Sequence, residues 1–326
     1  MTTLAVNYQH IITASQRIKG HAVITPLLES PMLNQQLGGR VLFKAENLQR
    51  TGSFKFRGAF NKLSQLAQAH QLNGVVAYSS GNHAQGVAAA AAHFNVPATI
   101  IMPADAPHIK IANTKALGAK VILYDRHTED REAIGQHLAQ LHKLTLIPPY
   151  NDADIIAGQG TLGLEAAHQF EALGLVPDQA IGPIGGGGLM TGSATALKHH
   201  FPLIQLWGAE PAGYDDAARS IIAGQRLCNT NPPPSICDAI VTPMVGDLTF
   251  PMMQRYLAGA KAVQDEHVLA AMALCMQQLK VVVEPGGCVG LAAILDASLD
   301  VKDKTTLVIL SGGNADPAML GLALTP

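Results

Sequence analysis

VVAYSSGNHAQGVAAAAAHF, residues 75–94, decides how the chain is read. Its first four residues, Val75-Val76-Ala77-Tyr78, form a short apolar run that reads as a buried strand. After a loop of Ser, Gly and Asn, the alanine-rich stretch from Ala84 to Phe94 reads as a helix stopped by Asn95 and Pro97. The unit then repeats, with strands expected over 98–102, 120–124 and 145–147 and helices over 108–117, closed by Gly118, and over 129–142. Short β-branched runs alternating with helices make βαβ units, and these enclose a parallel sheet between helical layers. One α/β domain is expected here, over residues 70–149.

The alternation resumes with a helix over 162–173, a strand over 179–184, a helix over 189–199 and a strand over 203–209. Beyond a break at Asn231-Pro232-Pro233-Pro234, a helix over 266–279, a strand over 280–283, a helix over 289–297 and a strand over 305–310 continue it. A larger second α/β domain is therefore expected over 150–326, joined by the N-terminal residues 1–69. Both are predicted to be doubly wound, with open, twisted, mostly parallel sheets.

At 326 residues the chain is long enough for two such domains, and 48% apolar with 14% charged residues excludes disorder and coiled coil. With 22 Lys+Arg against 24 Asp+Glu there is no basic surplus for a phosphate backbone, so nucleic acid is not an expected partner. Apolar runs fall far short of the roughly 20 residues of a membrane span, and Met1–His10 has no basic flank before an apolar run, which makes the cytoplasm the expected location. The four cysteines form no CxxC pair and read as reduced thiols.

In open α/β sheets, ligands bind outside the carboxyl ends of the strands. Three loops placed there are rich in small polar residues: Ser79-Ser80-Gly81-Asn82-His83, Gly185-Gly186-Gly187-Gly188 and Ser311-Gly312-Gly313-Asn314. Each glycine of the tetraglycine forfeits about 0.5–1 kcal/mol of conformational entropy relative to alanine. Backbone N–H groups gathered on a phosphate at a helix start offset that cost. The run fits neither the dinucleotide pattern GxGxxG, whose third glycine falls on Met190 or Thr191, nor a P-loop, since no Lys-Ser or Lys-Thr follows. A phosphate of mononucleotide size is left, with a tight turn that lets helix and sheet pack closely as the other reading. In Ser53-Phe54-Lys55-Phe56-Arg57-Gly58 a lysine stands between two phenylalanines, where burial disfavours the ammonium and favours a nucleophilic amine; a snorkelling surface lysine is the other reading.

These motifs, with Ile156-Ala157-Gly158-Gln159-Gly160-Thr161 and Val283-Glu284-Pro285, closely resemble the serine/threonine dehydratase and serine racemase group of fold-type II pyridoxal-phosphate enzymes, in consistent order over about residues 15–320. The resemblance implies a tryptophan synthase β-like architecture with the cofactor in the cleft between the two domains. It implies that Lys55 carries pyridoxal phosphate as a Schiff base beside Phe54, and that Gly185, Gly186, Gly187, Gly188 and Leu189 hold its phosphate. Asn82 would contact the ring hydroxyl, Ser311 the pyridine nitrogen, and Glu284 would belong to the same site. Freed Lys55 acts as base on the α-proton of a β-hydroxy amino acid, whose carboxylate sits on the loop of Ser79, Ser80, Asn82 and His83, with Arg131 closing on it. Ser80 matches the racemases' acid/base on the face opposite the lysine. Glu210, Tyr214 and Asp216 resemble a divalent-cation loop, with oxygen ligands suited to Mg²⁺ or Ca²⁺.

The implied activity is an ammonia-lyase acting on threonine, serine or threo-3-hydroxyaspartate, with a serine racemase as its rival. The group implies a homodimer. Two departures from its pattern, Ala239 after Cys237-Asp238 and Gly286 after Glu284-Pro285, bear on substrate preference, and they are the only support for a non-catalytic phosphate-binding module.

Overall fold

A computed structural model describes residues 4–325 apart from 70–72, 80, 107 and 127. In chain order the strands are β1 (Leu27–Glu29), β2 (Arg40–Ala45), β3 (Val75–Tyr78), β4 (Ala98–Pro103), β5 (Lys120–Tyr124), β6 (Thr145–Leu146), β7 (Gln179–Pro183), β8 (Gln205–Pro211), β9 (Gly259–Val263) and β10 (Thr305–Leu310). The first helices are α1 (Tyr8–Ile18), α2 (Pro31–Leu37), α3 (Lys55–Gln68), α4 (Asn82–His93), α5 (His108–Ala116), α6 (Arg131–His142) and α7 (Ala153–Ala172). They are followed by α8 (Gly188–His200), α9 (Asp216–Ala223), α10 (Thr249–Tyr256), α11 (Asp265–Leu274), α12 (Val289–Leu295) and α13 (Pro317–Leu324).

Two sheets result. The larger has the order β1-β2-β10-β7-β8-β9, parallel except for β1, and the smaller has the order β5-β4-β3-β6, parallel throughout. Side chains alternate along a strand, so neighbours enter opposite cores. Val41, Phe43, Val308 and Leu310 join the layer with α11 and α12, whereas Leu42, Leu307 and Ile309 join the layer with α7 and α8. The small sheet divides likewise, Val75 and Ile100 facing one way and Val76 and Ile101 the other. No helix among the described residues is long and apolar enough to cross a membrane.

Two local expectations are corrected. Residues 280–283 form no strand: a π-helical turn over Cys275–Leu279 ends on left-handed Lys280 (φ 60°), and β9 occupies the sheet edge beside β8. The helix expected from residue 162 begins at Ala153, capped by Asp152, whose carboxylate accepts from the N–H groups of Asp154 and Ile155 at 2.9 and 3.0 Å. Its glycines let α8 approach closely, since a Cβ at Gly163 would lie 2.7 Å from Ser193 Cα.

Candidate active site

Carboxyl ends of β3, β7 and β10 open onto one cleft between the sheets, of about 1050 Å³ including its mouth. Its walls carry Phe54, Lys55, Ser79, Asn82, His83, Arg131, Gly185–Leu189, Glu284 and Ser311. The structure thus brings together the candidate residues of the three loops; Ser80 lies outside the described residues.

Lys55 opens α3, on a turn fastened by two bonds to the end of β10: Phe54 N–H donates to the Ser311 carbonyl at 3.1 Å, and Ser53 bridges Gly312. Its amine donates to the Pro149 carbonyl at 2.8 Å. Burial pushes the Lys55 amine down to about 8, with Glu284 pulling weakly the other way.

Opposite stands buried Glu284, whose carboxyl is pushed up to about 7 by burial and by Asp238. The Asn82 amide donates to Glu284 Oε1 and accepts from Asn314 Nδ2 at 2.7 Å, which fixes its orientation. Burial and Lys55 hold the His83 imidazole at about 3, so it is neutral. Its Nε2 lies 2.9 Å from the Ile147 carbonyl, which can only accept, so the proton is on Nε2 and Nδ1 is an acceptor. The side chain therefore cannot donate to a carboxylate through Nδ1; what His83 offers an anion is its backbone N–H in the first turn of α4. That helix begins at Gly81 with no side-chain cap. Arg131, at the start of α6, lies over the Tyr78 ring at 5.6 Å.

The tetraglycine runs into α8, which starts at Gly188 behind Gly187, its N-cap with φ 95° and no side-chain cap. A Cβ at Gly187 would strike Met253 and come within 2.9 Å of Thr249 Oγ1, and one at Gly186 would overlap the Tyr150 ring. Thr249 braces the loop by donating to the Gly186 carbonyl at 2.6 Å.

The cation-loop candidates sit apart, at the end of β8. Glu210 is buried and accepts from the N–H groups of Ala217 and Ala218, both at 3.0 Å, while Asp216 accepts from Asn229 Nδ2 at 2.7 Å and Val245 N–H at 2.8 Å. Burial and the neighbouring Asp216 hold the Glu210 carboxyl well above the usual carboxylate range, and burial pushes Asp216 up to about 6. Two adjacent buried carboxyls with raised pKa values suit a hard cation.

Residues 18–312 match the family described as pyridoxal-phosphate dependent enzymes. The chain belongs to the pyridoxal-phosphate dependent enzymes. An L-threo-3-hydroxyaspartate ammonia-lyase of Pseudomonas sp. is 44% identical over 310 residues, covering 95% of this chain and 96% of that protein. A serine racemase of Schizosaccharomyces pombe is 40% identical over 309 residues, covering 95% and 94%. Among solved structures, a serine racemase from maize superposes with a TM-score of 0.91 at 36% identity, covering 98% of this chain and 97% of that one.

The cleft of this pyridoxal-phosphate dependent enzyme fits its cofactor on independent grounds. His83 Nδ1, Gln159 Nε2, Thr242 Oγ1 and Glu284 Oε2 are buried with no hydrogen-bond partner, and all four residues line the cleft. Such atoms are costly unless a ligand pairs with them. Two uncapped helix starts, of α4 and α8, face the same space and suit two anionic groups.

Sequence reasoning missed several lining residues. Lys110 of α5 donates to Asp238 Oδ2 at 2.6 Å, joining the small-sheet side to the Cys237-Asp238-Ala239 loop across the cleft mouth. Gln159 accepts from Gly58 N–H at 3.0 Å and ties α7 to the lysine-bearing helix. The quoted motif over 156–161 was the signal for Gln159; nothing in the local sequence marks Lys110.

Proposed function

We propose that the chain is an ammonia-lyase that removes water from a β-hydroxy L-amino acid and releases a 2-oxo acid and ammonia. The observation that carries this reading is Lys55, an amine with lowered pKa in a cleft that also holds a glycine cradle. In this reading residues 1–69 with 150–326 form the cofactor-binding domain and 70–149 the smaller one. Lys55, Phe54, Asn82, Glu284, Ser311 and the loop from Gly185 to Leu189 hold pyridoxal phosphate. When bound, the cofactor supplies an electron sink conjugated to the substrate's α-carbon.

The chain's own groups do the rest. The amino acid's α-carboxylate rests on N–H groups at the start of α4, and neutral Lys55 Nζ takes the α-proton. A dicarboxylic substrate such as threo-3-hydroxyaspartate fits best, because Arg131 adds a cation to the cleft wall, while Lys110 already pairs with Asp238. Glu210, Asp216 and the Tyr214 carbonyl hold Mg²⁺ or Ca²⁺ and fasten the loop after β8. The assembly is a homodimer in the cytoplasm.

Serine racemisation is the second reading, supported by Ser80 in the sequence and by the serine racemase relative. The purified holoenzyme should be assayed with L-threonine, L-serine, D-serine and L-threo-3-hydroxyaspartate for 2-oxo acid and inverted product. The proposal expects 2-oxo acid with L-threo-3-hydroxyaspartate as preferred substrate; no 2-oxo acid from any L-substrate would overturn it. If D-serine forms, Ser80→Ala should abolish its formation while dehydration of the L-substrate persists within about tenfold, or about 1.4 kcal/mol of barrier.

A further inference from the structure

At the far end of the helix that begins with the glycine loop, about 18 Å along its axis, the last turns of α7 and α8 converge. They bring His168, Glu171 and His200 together, with one nitrogen or oxygen of each within 4.8 Å of the others. His200 Nδ1 lies 2.7 Å from Glu171 Oε1, and His200 Nε2 lies 2.9 Å from the Tyr8 hydroxyl of α1. The His168 ring stands edge-on to His200 at 5.2 Å.

We propose that His168, Glu171 and His200 bind a transition-metal dication of the zinc class. Two imidazole nitrogens and one carboxylate oxygen are a donor set that Zn²⁺ takes, at about 2.0–2.2 Å. Such bonds place tetrahedral donors about 3.4 Å apart, a contraction that side chains at a solvent-facing corner reach by rotamer adjustment. His168 and Glu171 are three residues apart on α7 and so share a face. Both helices present their C-terminal ends here, where unpaired carbonyls favour a cation.

Tyr8 completes the arrangement. A phenol can donate or accept, so it can accept the proton on His200 Nε2 and leave the Nδ1 lone pair for the metal, the outer contact that orients a ligating histidine. Exposure of His168 and Glu171 leaves water for the remaining positions. The ion would staple α1, α7 and α8, two of which carry Gln159 and the glycine loop to the cleft. None of the three ligands belongs to the proposed catalytic machinery.

The test uses holoenzyme in saturating Mg²⁺, with the exposed Cys228 replaced by serine so that its thiol does not compete. Zn²⁺ is titrated against a chromophoric chelator, and melting is followed with and without Zn²⁺. One equivalent should bind and raise the melting temperature by a few degrees, and His168→Ala and Glu171→Gln should each weaken that binding at least tenfold and remove the shift. Equal Zn²⁺ affinity and equal shifts in the Cys228→Ser parent and both variants would overturn the site.

Discussion

Lys55 and Arg57 stand two residues apart in the first turn of α3, and the protein treats their charges in opposite ways. Arg57 is buried and held by two carboxylates: its Nε and Nη2 reach Glu46 at 2.7 Å each, and Nη1 reaches Glu165 at 3.1 Å. Lys44 joins the same cluster, giving two cations and two anions. Burial works against the Arg57 charge, but Glu46 and Glu165 outweigh it and raise its pKa further; Glu46, despite burial, is held below the carboxylate range by Arg57 and Lys44. Lys55 has one neutral carbonyl, that of Pro149, and its pKa falls to about 8. Burial opposes both charges: it prevails at Lys55, where Glu284 offsets it only in part, and it is outweighed at Arg57 by the two carboxylates. Arg57 anchors the helix so that Lys55 can be left only partly compensated at the cleft.

The largest expected effect breaks the reactive side. Lys55→Ala should abolish 2-oxo acid formation by several orders of magnitude while the melting temperature of the apoenzyme stays near that of the parent, because the lysine makes a single hydrogen bond. Breaking the anchored side should do the reverse. Glu46→Gln leaves a buried guanidinium short of a partner, at a cost of about 3–5 kcal/mol in denaturant unfolding, and should lower yield before it alters the chemistry.

Smaller effects sharpen the account at the cleft and beyond it. Gly187→Ala strains a left-handed position and pushes a methyl toward Met253, so cofactor affinity should fall at least about tenfold, or about 1.4 kcal/mol, in an equilibrium titration with pyridoxal phosphate. The smallest effect concerns Asp216. Its carboxyl is raised to about 6, so its contribution to metal-free stability is present below the usual carboxylate pKa and lost as the pH rises through about 6. Melting of chelator-treated protein should therefore fall over that window, Mg²⁺ or Ca²⁺ should restore it above pH 6, and Asp216→Asn should reduce the slope to the part that buried Glu210 contributes and remove the rescue.

The contrast between Lys55 and Arg57 also marks how far the sequence could be read. The small sheet and β7, β8 and β10 of the large one were legible because strands such as Val75–Tyr78 and Thr305–Leu310 are apolar runs between helices, whereas β1, β2 and β9 were not read; the lysine and four glycines are chemically conspicuous. Val281-Val282-Val283 misled, since β-branched residues suggest a strand wherever they fall, and only tertiary placement gives that sheet edge to the plainer Gly259–Val263. The start of α7 was not read because its glycines, which let α8 approach closely, are poor helix formers. Lys110 carried no local signal, since its partner Asp238 lies over a hundred residues away; Arg57 stands in a quoted motif, but its pairing with Glu46 and with distant Glu165 emerges only in the fold.

Everything proposed for the cleft requires that Lys55, and no other amine there, carries the cofactor. Borohydride reduction of the holoenzyme, which fixes pyridoxal phosphate to the amine that holds it, followed by peptide mapping by mass spectrometry, tests this directly. The pyridoxyl mass should appear on the peptide containing Lys55, with Lys110 unmodified. Label on Lys110 or on a lysine outside the cleft, with Lys55 unmodified, would contradict it.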